Sequence, residues 1–152
     1  MKQSHSLHRF EQIIKTVCLG LIFSATFGVT ESHAYDEQSI RQLSQTNSCQ
    51  ECDLTNADLR NRDFRFADLR RANLQFANLS GAKFYWANLY RADLTGAKLL
   101  EVDLSGANLY GSKIVSAEAT GAIFRGADLR DIDFRRTNLS GADFSPFDVL
   151  WY

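Results

Sequence analysis

Beyond its first 34 residues, the chain has no histidine and only two cysteines. The three histidines are His5, His8 and His33, and the third cysteine is Cys18. A zinc site needs about four ligands, which the remaining residues cannot supply from histidine and cysteine. Nothing resembles a nucleophile–base pair or a phosphate-binding loop either. The sequence therefore predicts no enzyme, no cofactor and no metal site.

The chain also lacks a hydrophobic run of membrane-spanning length. Its longest apolar stretch, residues 16–29, is shorter than the ~20 residues that a spanning helix needs. Basic residues precede this stretch, and Ser32 and Ala34 form a small-x-small cleavage site after it. These features predict a cleavable signal peptide over residues 1–34. An uncleaved membrane anchor is the alternative.

No charge of one sign dominates the chain. After residue 34 there are 14 basic and 16 acidic residues, for a net charge of −2. This balance predicts no general attraction to nucleic acid or to anionic membranes. We therefore expect no nucleic-acid partner and no stable membrane insertion once the signal peptide is removed.

What the chain has in abundance is a five-residue repeat from Cys52 to Phe144. A large apolar residue recurs at the central position of each pentad, with one lapse at Ala119, and alanine usually stands two residues earlier, at the small position. Between them lies the flanking position, and after the centre come the first and second turn positions. A period of five fits a short extended stretch followed by a turn, so the central and small residues share one interior. The central residues are Leu54, Leu59, Phe64, Leu69, Leu74, Leu79, Phe84, Leu89, Leu94, Leu99, Leu104, Leu109, Ile114, Phe124, Leu129, Phe134, Leu139 and Phe144.

A second spacing, of 20 residues, gives the size of one coil. Gly81, Gly121 and Gly141 hold the second turn position at multiples of this spacing. Only Phe134 lies outside the corresponding column of central phenylalanines. Four pentads per coil predict a solenoid with four flat sides, in which each coil contacts only its neighbours. The column consists of Phe64, Phe84, Leu104, Phe124 and Phe144.

The pentad Ala-(Asp/Asn)-Leu-x-x, as in Ala57-Asp58-Leu59, resembles the pentapeptide-repeat family over about 19 consecutive pentads. The resemblance implies an all-β fold, a right-handed quadrilateral parallel β-helix of about five coils. At ~4.8 Å per coil, its length is roughly 24 Å. The opening Cys-x-x-Cys-Asp-Leu at Cys49 also resembles exported cyanobacterial members of the family. That likeness implies the periplasm or the thylakoid lumen as the compartment.

Residues 35–48 predict a capping helix and linker before the repeat domain, residues 49–146. Asp36 is placed to cap the helix, and Ile40 and Leu43 lie on one face. Because a solenoid needs its open ends covered, we expect this helix on the first coil.

The C-terminal segment, residues 147–152, is unusually apolar. Its first residues continue the inward phase of the repeat. Leu150, Trp151 and Tyr152 are expected to cover the lower end of the solenoid. The alternative is a dimer contact through that end, so we expect either a monomer or an end-to-end homodimer.

Cys49 and Cys52 form the only motif of the sequence that resembles a reactive site. A redox-active pair would need a thioredoxin-like βαβ context, which is absent. Cys52 occupies the small position of the first pentad, and in an exported protein the pair can close a disulfide that fixes the junction of cap and coil. Two buried thiols are the alternative. Because the loop is short, a disulfide would act mainly on local geometry.

Arg62 occupies a small position, where alanine is the rule. A buried arginine is unfavourable unless it is paired. It could mark a ligand site. Pairing with Asp63 or with a cap residue, or exposure to solvent at the open end, is the interpretation that we favour.

Aromatic and arginine side chains are expected on the outer surface of one side. Stacked arginine and tyrosine gain about 0.5–1 kcal/mol of cation–π attraction when exposed, and clustered exposed aromatics are typical of a partner surface. The alternative is that the aromatics only stabilise the parallel stack. The candidate interaction surface consists of the outward column Arg70, Tyr90, Tyr110 and Arg130 and the neighbouring Phe66 and Trp86.

Aspartate and asparagine recur at the flanking position. Because their spacing follows the repeat, we assign them to turn geometry, in which they bond nearby amides, and not to acid catalysis or calcium binding. The series includes Asp58, Asp68, Asn78, Asn88, Asp93, Asp103, Asp128 and Asp143.

The sequence favours an exported, non-enzymatic structural or protein-interaction module with a protein partner. Some family members mimic DNA and bind topoisomerase, but they are long and strongly acidic, whereas this chain is short and near neutral. A small-ligand binder or enzyme at the capped end is a further alternative, which a packed interior disfavours.

Overall fold

A computed structural model describes residues 37–146. The signal peptide predicted for residues 1–34, the Asp36 cap and the C-terminal contact residues Leu150, Trp151 and Tyr152 lie outside the described residues, so these predictions remain open.

Helix α1, Glu37–Thr46, comes directly before the first coil. Leu43 is buried in the core of the solenoid, and Ile40 packs against that core. Asn47 ends the helix in the left-handed conformation, with a φ of 53°, and its N–H donates to the Leu43 carbonyl at 3.0 Å. Its side-chain Nδ2 donates to the carbonyl of Arg65 at 2.8 Å, which attaches the end of the helix to the first coil.

The repeat domain is wound with 20 residues per coil. Isolated parallel bridges pair each flanking residue with the flanking residue 20 positions later, and no longer strand occurs within residues 37–146. The bridges form four columns, which start at Ser48, Asp53, Asp58 and Asp63; we call these sides faces 1 to 4. The predicted four flat sides are therefore confirmed.

Where the flanking residue of a stacked pentad is aspartate or asparagine, every backbone N–H can be paired, as residues 72–76 illustrate. The N–H of Ala72 donates to the Leu69 carbonyl at 3.1 Å and closes a turn. The N–H groups of the central and second turn residues donate to the following coil, at 2.7 and 2.9 Å, and that of the flanking residue to the preceding coil, at 2.9 Å. The N–H of Gln75 donates to Oδ1 of Asn73 at 3.2 Å. A five-residue repeat can therefore stack without leaving backbone donors unpaired.

Left-handed backbone conformation recurs at every second turn position from Glu51 to Gly141, with φ between 52° and 69°. This is the third residue of a type II turn, which requires a positive φ. Glycine meets that requirement without steric conflict at only some of the corners. Phe66, Phe76 and Trp86 adopt the same conformation with bulky side chains.

The core is a column of central and small residues. They are almost fully buried from Leu54 to Phe124. The predicted phenylalanine column is confirmed, since the rings of Phe64 and Phe84 lie 5.1 Å apart and those of Phe124 and Phe144 lie 5.0 Å apart. Phe134 contacts this column edge-on, 5.6 Å from Phe124. Beyond Phe124 the inward side chains are less buried, and Phe144 is 45% exposed.

Arg62 does not enter the core with the alanines whose position it shares. Arg62 is exposed. Of the alternatives given for this residue, the structure therefore agrees with exposure to solvent. The guanidinium thereby keeps its hydration and avoids the cost of burying a charge.

Candidate interaction surface

Three aromatic residues form a cluster where face 4 turns into face 1. Phe66 and Trp86 hold successive second turn positions of this corner, and Tyr85 precedes Trp86 at the first turn position. The ring of Tyr85 meets that of Phe66 edge-on at 6.2 Å and that of Trp86 edge-on at 6.2 Å. Phe66 is 67% and Trp86 53% exposed. We call Phe66, Tyr85 and Trp86 the aromatic edge.

On face 1, the predicted outward column is only partly stacked. The rings of Tyr90 and Tyr110 are stacked 5.7 Å apart and inclined by 8°. The guanidinium carbon of Arg130 lies 5.4 Å from the centroid of the Tyr110 ring. Over Tyr90, however, the cation at 5.2 Å is Arg91, a second turn residue. The structure thus brings together Tyr90, Tyr110 and Arg130 as predicted and adds Arg91.

Arg70, the remaining residue of this column, is oriented by its own pentad. Its Nε donates to Oδ1 of Asp68 at 2.8 Å and its NH2 group to Oδ2 at 2.7 Å. The hydrogen bonds from Arg70 lower the pKa of Asp68. Bidentate pairing of this kind fixes the plane of the guanidinium. Arg70 is therefore part of the surface, but Asp68 neutralises its charge.

The same pair recurs wherever aspartate flanks and arginine follows the central residue. The shortest contact between guanidinium and carboxylate is 2.6 to 2.7 Å in each pair. In each, the hydrogen bond from the arginine lowers the pKa of the aspartate. Arg70 and Arg130 therefore present little net positive charge on the candidate surface. The pairs are Asp58–Arg60, Asp63–Arg65, Asp68–Arg70, Asp128–Arg130 and Asp133–Arg135.

Sequence reasoning missed Tyr85 and Arg91, and the missed signals differ. Tyr85 stands next to Trp86 in the sequence, so its adjacency to an exposed tryptophan could have been used. Arg91 follows Tyr90 in the same way, but the type II turn directs it back over the ring. Phe76, 56% exposed, was also missed. It lies at another corner, between faces 2 and 3, where its ring covers the space above Gly96.

Hydrogen bonding accounts for the flanking aspartates and asparagines, as predicted. Oδ1 of each accepts the N–H of the first turn residue, for example from Thr95 to Asp93 at 3.0 Å and from Tyr110 to Asn108 at 3.1 Å. Asp143 shows the same bond at 2.9 Å from Ser145. Together with hydrogen bonds from the Ser145 and Arg125 side chains, that bond lowers the pKa of Asp143 to about 2.

A disulfide joins Cys49 and Cys52. Cys49 is completely buried, and Cys52 is partly exposed. Sγ of Cys49 lies 3.2 Å from the carbonyl oxygen of Ser39 in α1. The bond therefore lies at the contact between the helix and the first coil.

A surface recess of about 400 Å³ follows face 3 past Ser80, Leu100 and Thr120. Within residues 37–146, no group of three or more histidine, cysteine, aspartate or glutamate side chains is arranged to hold a metal ion. No helix in the same range has the length and apolar character needed to cross a membrane.

Comparison with known proteins agrees with this geometry. The sequence model of the pentapeptide repeats matches residues 48–84, 87–126 and 116–145, in eight copies. No curated protein sequence matches the chain significantly.

Several solved structures are similar. A pentapeptide repeat protein from the thylakoid lumen of Arabidopsis thaliana is 32% identical, with a TM-score of 0.52 and 73% of each chain covered. One from the cyanobacterium Cyanothece 51142 is 23% identical, with a TM-score of 0.36, over 70% of this chain and 97% of that chain. A plasmid-mediated fluoroquinolone resistance protein is 21% identical, with a TM-score of 0.42, over 66% of this chain and 56% of that chain.

Proteins of this family form right-handed quadrilateral β-helices, which is the architecture that the four bridge columns describe. The repeat matches cover more than half of the chain. This chain is therefore a member of the pentapeptide-repeat family.

Proposed function

We propose that this chain is an exported, non-enzymatic module of about five coils that binds a protein partner through the aromatic edge and the adjoining column of face 1. The observation that carries the proposal is that Phe66 and Trp86, both left-handed and exposed, are joined in one cluster by the ring of Tyr85. Both have a φ near 60°, and both expose more than half of their surface.

Neither the turn nor the core accounts for these two side chains. The left-handed conformation disfavours bulky residues by roughly 1–3 kcal/mol, whereas asparagine or glycine adopts it readily. Asn56 and Asn61 fill the equivalent corners of the first coil in that way. Aromatic rings that serve neither backbone nor burial are typical of an interface core.

The surface is also preorganised. Tyr85 holds the rings of Phe66 and Trp86 in edge contacts, and each backbone segment is fixed to its neighbouring coils. Binding to such a surface loses little conformational entropy. Around it, Arg70 and Arg130 are paired with aspartates, so a partner with an apolar, weakly charged patch fits better than a polyanion.

Export is the second part of the proposal. The pattern of residues 1–34 supports it, as does the likeness to a thylakoid-lumen protein at 32% identity. The compartment would be the periplasm or the thylakoid lumen. Fractionation of a C-terminally tagged chain tests this part, since retention of the full-length protein in the cytoplasm would contradict it.

Cross-linked affinity capture tests the partner surface. We compare the wild type with the double variant Phe66→Asn/Trp86→Asn by quantitative mass spectrometry. The amount of the specific partner recovered with the variant should fall about tenfold, because interface hot spots dominate affinity. Its thermal midpoint should not fall, because asparagine suits the left-handed position better.

Phe76→Asn is the matched control. It removes an equally exposed aromatic ring from the same turn position at a different corner. Equal recovery of the same proteins by all three chains would contradict the proposal. Topoisomerase protection by the purified wild type would favour the DNA-mimic alternative instead.

A further inference from the structure

The first corner of the solenoid, Cys49–Cys52, is closed differently from the others. Elsewhere the N–H of the small residue donates to the central carbonyl three residues earlier, as from Ala57 to Leu54 at 3.1 Å. Two corners within residues 37–146 lack this bond. At one of them the Ile114 carbonyl accepts the hydroxyl of Thr137 instead. At the first corner, the closure is the disulfide.

This corner also anchors the cap. Cys49 follows directly on the segment that joins α1 to the first coil, and its buried Sγ faces the Ser39 carbonyl of the helix. Gln42 Nε2 donates to the Ser48 carbonyl at 3.1 Å in the same junction. Whatever loosens the first corner therefore loosens the attachment of α1.

The two cysteine residues differ in exposure. Cys49 is completely buried, whereas Cys52 is partly exposed. Thiol–disulfide exchange needs an attacking thiolate to reach one sulfur. Cys52 is therefore the half of the disulfide at which we expect a reductant to attack while the coil stays folded.

We propose that the Cys49–Cys52 disulfide is a redox-controlled clasp, whose reduction by a dithiol lets α1 open from the first coil. This inference stands independently of the proposed partner surface. A thiolate of the dithiol attacks Sγ of Cys52, the Cys49–Cys52 bond breaks, and Cys49 leaves as a thiolate that takes a proton. The second thiol of the dithiol then displaces Cys52, which is also protonated. Two electrons and two protons pass to the protein, and the dithiol becomes a disulfide.

The reduced corner has a weaker closure. The Cys49 thiol, unlike the disulfide sulfur, carries a proton that the Ser39 carbonyl at 3.2 Å can accept. A thiol is a weak donor, so this contact does not replace a covalent bond. In both states the helix rests on Leu43 and a few junction hydrogen bonds. Without the disulfide the first corner, to which these contacts attach, opens locally more often, and the helix opens with it.

Limited trypsin digestion of the purified protein measures this opening. Arg41 is an exposed site inside α1, and Arg135 in the last coil is an internal control. After dithiothreitol treatment, cleavage after Arg41 should accelerate about tenfold or more. Cleavage after Arg135 should not change. Reoxidation should restore the slow rate.

Cys52→Ala is the matched variant, since alanine fills the same position in most pentads. It should be cleaved rapidly after Arg41 with or without dithiothreitol. Three results would overturn the proposal. The first is that thiol alkylation shows the disulfide of the folded protein to be resistant to dithiothreitol. The others are reduction without faster cleavage after Arg41, and equally accelerated cleavage after Arg135. The wild-type reduction and reoxidation arms decide the question even if the variant fails to fold.

Discussion

At the scale of single residues, the repeat is held by side chains that complete the backbone hydrogen bonding. The flanking aspartate or asparagine accepts the one pentad N–H that neither the turn nor the neighbouring coils can pair, as in Asn73 and Asn88. The recurrence of these carboxylates and amides is therefore a structural requirement.

Replacing Asn88 by alanine tests this role. The N–H of Tyr90 loses its acceptor at 3.2 Å in a partly buried site, so the free energy of unfolding should fall by about 1 kcal/mol. Urea denaturation measures it. Lys98→Ala, at a flanking position without such an acceptor, should change it by less than about 0.5 kcal/mol. Equal effects of the two substitutions would count against the role.

Gly96 gives a second residue-scale prediction. It has a φ of 68°, and an added Cβ would lie 2.5 Å from the ring of Phe76. Gly96→Ala should lower the free energy of unfolding by about 1–3 kcal/mol, from backbone strain and ring displacement together. Gly121 has nearly the same φ, 67°, but a Cβ added there would meet only Cγ of Glu101 at 3.5 Å.

In urea denaturation, the free energy of unfolding of Gly96→Ala should therefore be lower than that of Gly121→Ala. Adding Phe76→Asn should bring the two closer together, because it removes the ring but leaves the backbone strain. If Gly121→Ala is instead the less stable variant, the contact with the Phe76 ring is not what excludes a side chain at position 96.

At the scale of elements, α1 lies outside the repeat pattern, and it covers the open end of the first coil. Its bounds, Glu37–Thr46, lie within the predicted residues 35–48. The helix contributes one fully inserted apolar side chain, Leu43, which is 3% exposed. Helices this short gain most of their stability from such packing and little from propensity.

Leu43→Ala should lower the free energy of unfolding by about 2–5 kcal/mol if the first coil and the cap unfold together. Hydrogen exchange should then rise in α1 and the first coil before it rises near Phe124, because coils couple only to their neighbours. Gln45→Ala, at an exposed position, is the control. A uniform rise along the whole chain would contradict local capping.

At the scale of the whole molecule, each coil is bonded only to the coil above and the coil below, through pairs 20 residues apart. Local pairs such as Asp128–Arg130 repeat along the stack in the same way. Properties of the solenoid are therefore sums over similar small units.

Acid should destabilise the protein in a defined range. The pKa of each arginine-paired aspartate is lowered by its arginine, and that of Asp143 is lowered to about 2. A lowered folded-state pKa gives stability that is present above the unfolded value of about 4 and is lost as the pH falls through the folded value.

The thermal midpoint should therefore be steady above pH ~5 and fall between about pH 4 and pH 2. Circular dichroism melts at a series of pH values measure this. The fall should be smaller in Asp143→Asn, which keeps an acceptor for Ser145 but removes the titrating group. A midpoint that rises on acidification would contradict the assignment.

Deleting residues 147–152 tests the end of the solenoid. Leu129 and Phe134 are only partly buried and Phe144 is exposed, and we propose that the apolar C-terminal segment covers them. The deletion should lower the thermal midpoint and promote self-association, measured by light scattering after size exclusion. A wild-type dimer that the deletion converts to a monomer would instead favour the end-to-end contact through Leu150, Trp151 and Tyr152.

The sequence alone determined the coil. A period of five with a second period of 20 leaves one way to stack Phe64 on Phe84, because each repeat contacts only its neighbours and an error would recur in every coil. The roles of Asp93 and Asn108 followed for the same reason, since they depend only on residues within one pentad. The chain's own spacing was sufficient wherever the interaction was local or strictly repeated.

Only the tertiary structure decided what departs from the repeat. Tyr85 joins Phe66 from the next coil, Arg91 replaces Arg70 over Tyr90, and Arg62 is exposed although it shares the position of the inward alanines. These outcomes depend on the direction that a left-handed corner gives each side chain and on which partner the adjacent coil offers. Neither is a property of the pentad in which the residue stands, so the candidate surface could be located from the sequence but its contacts could not.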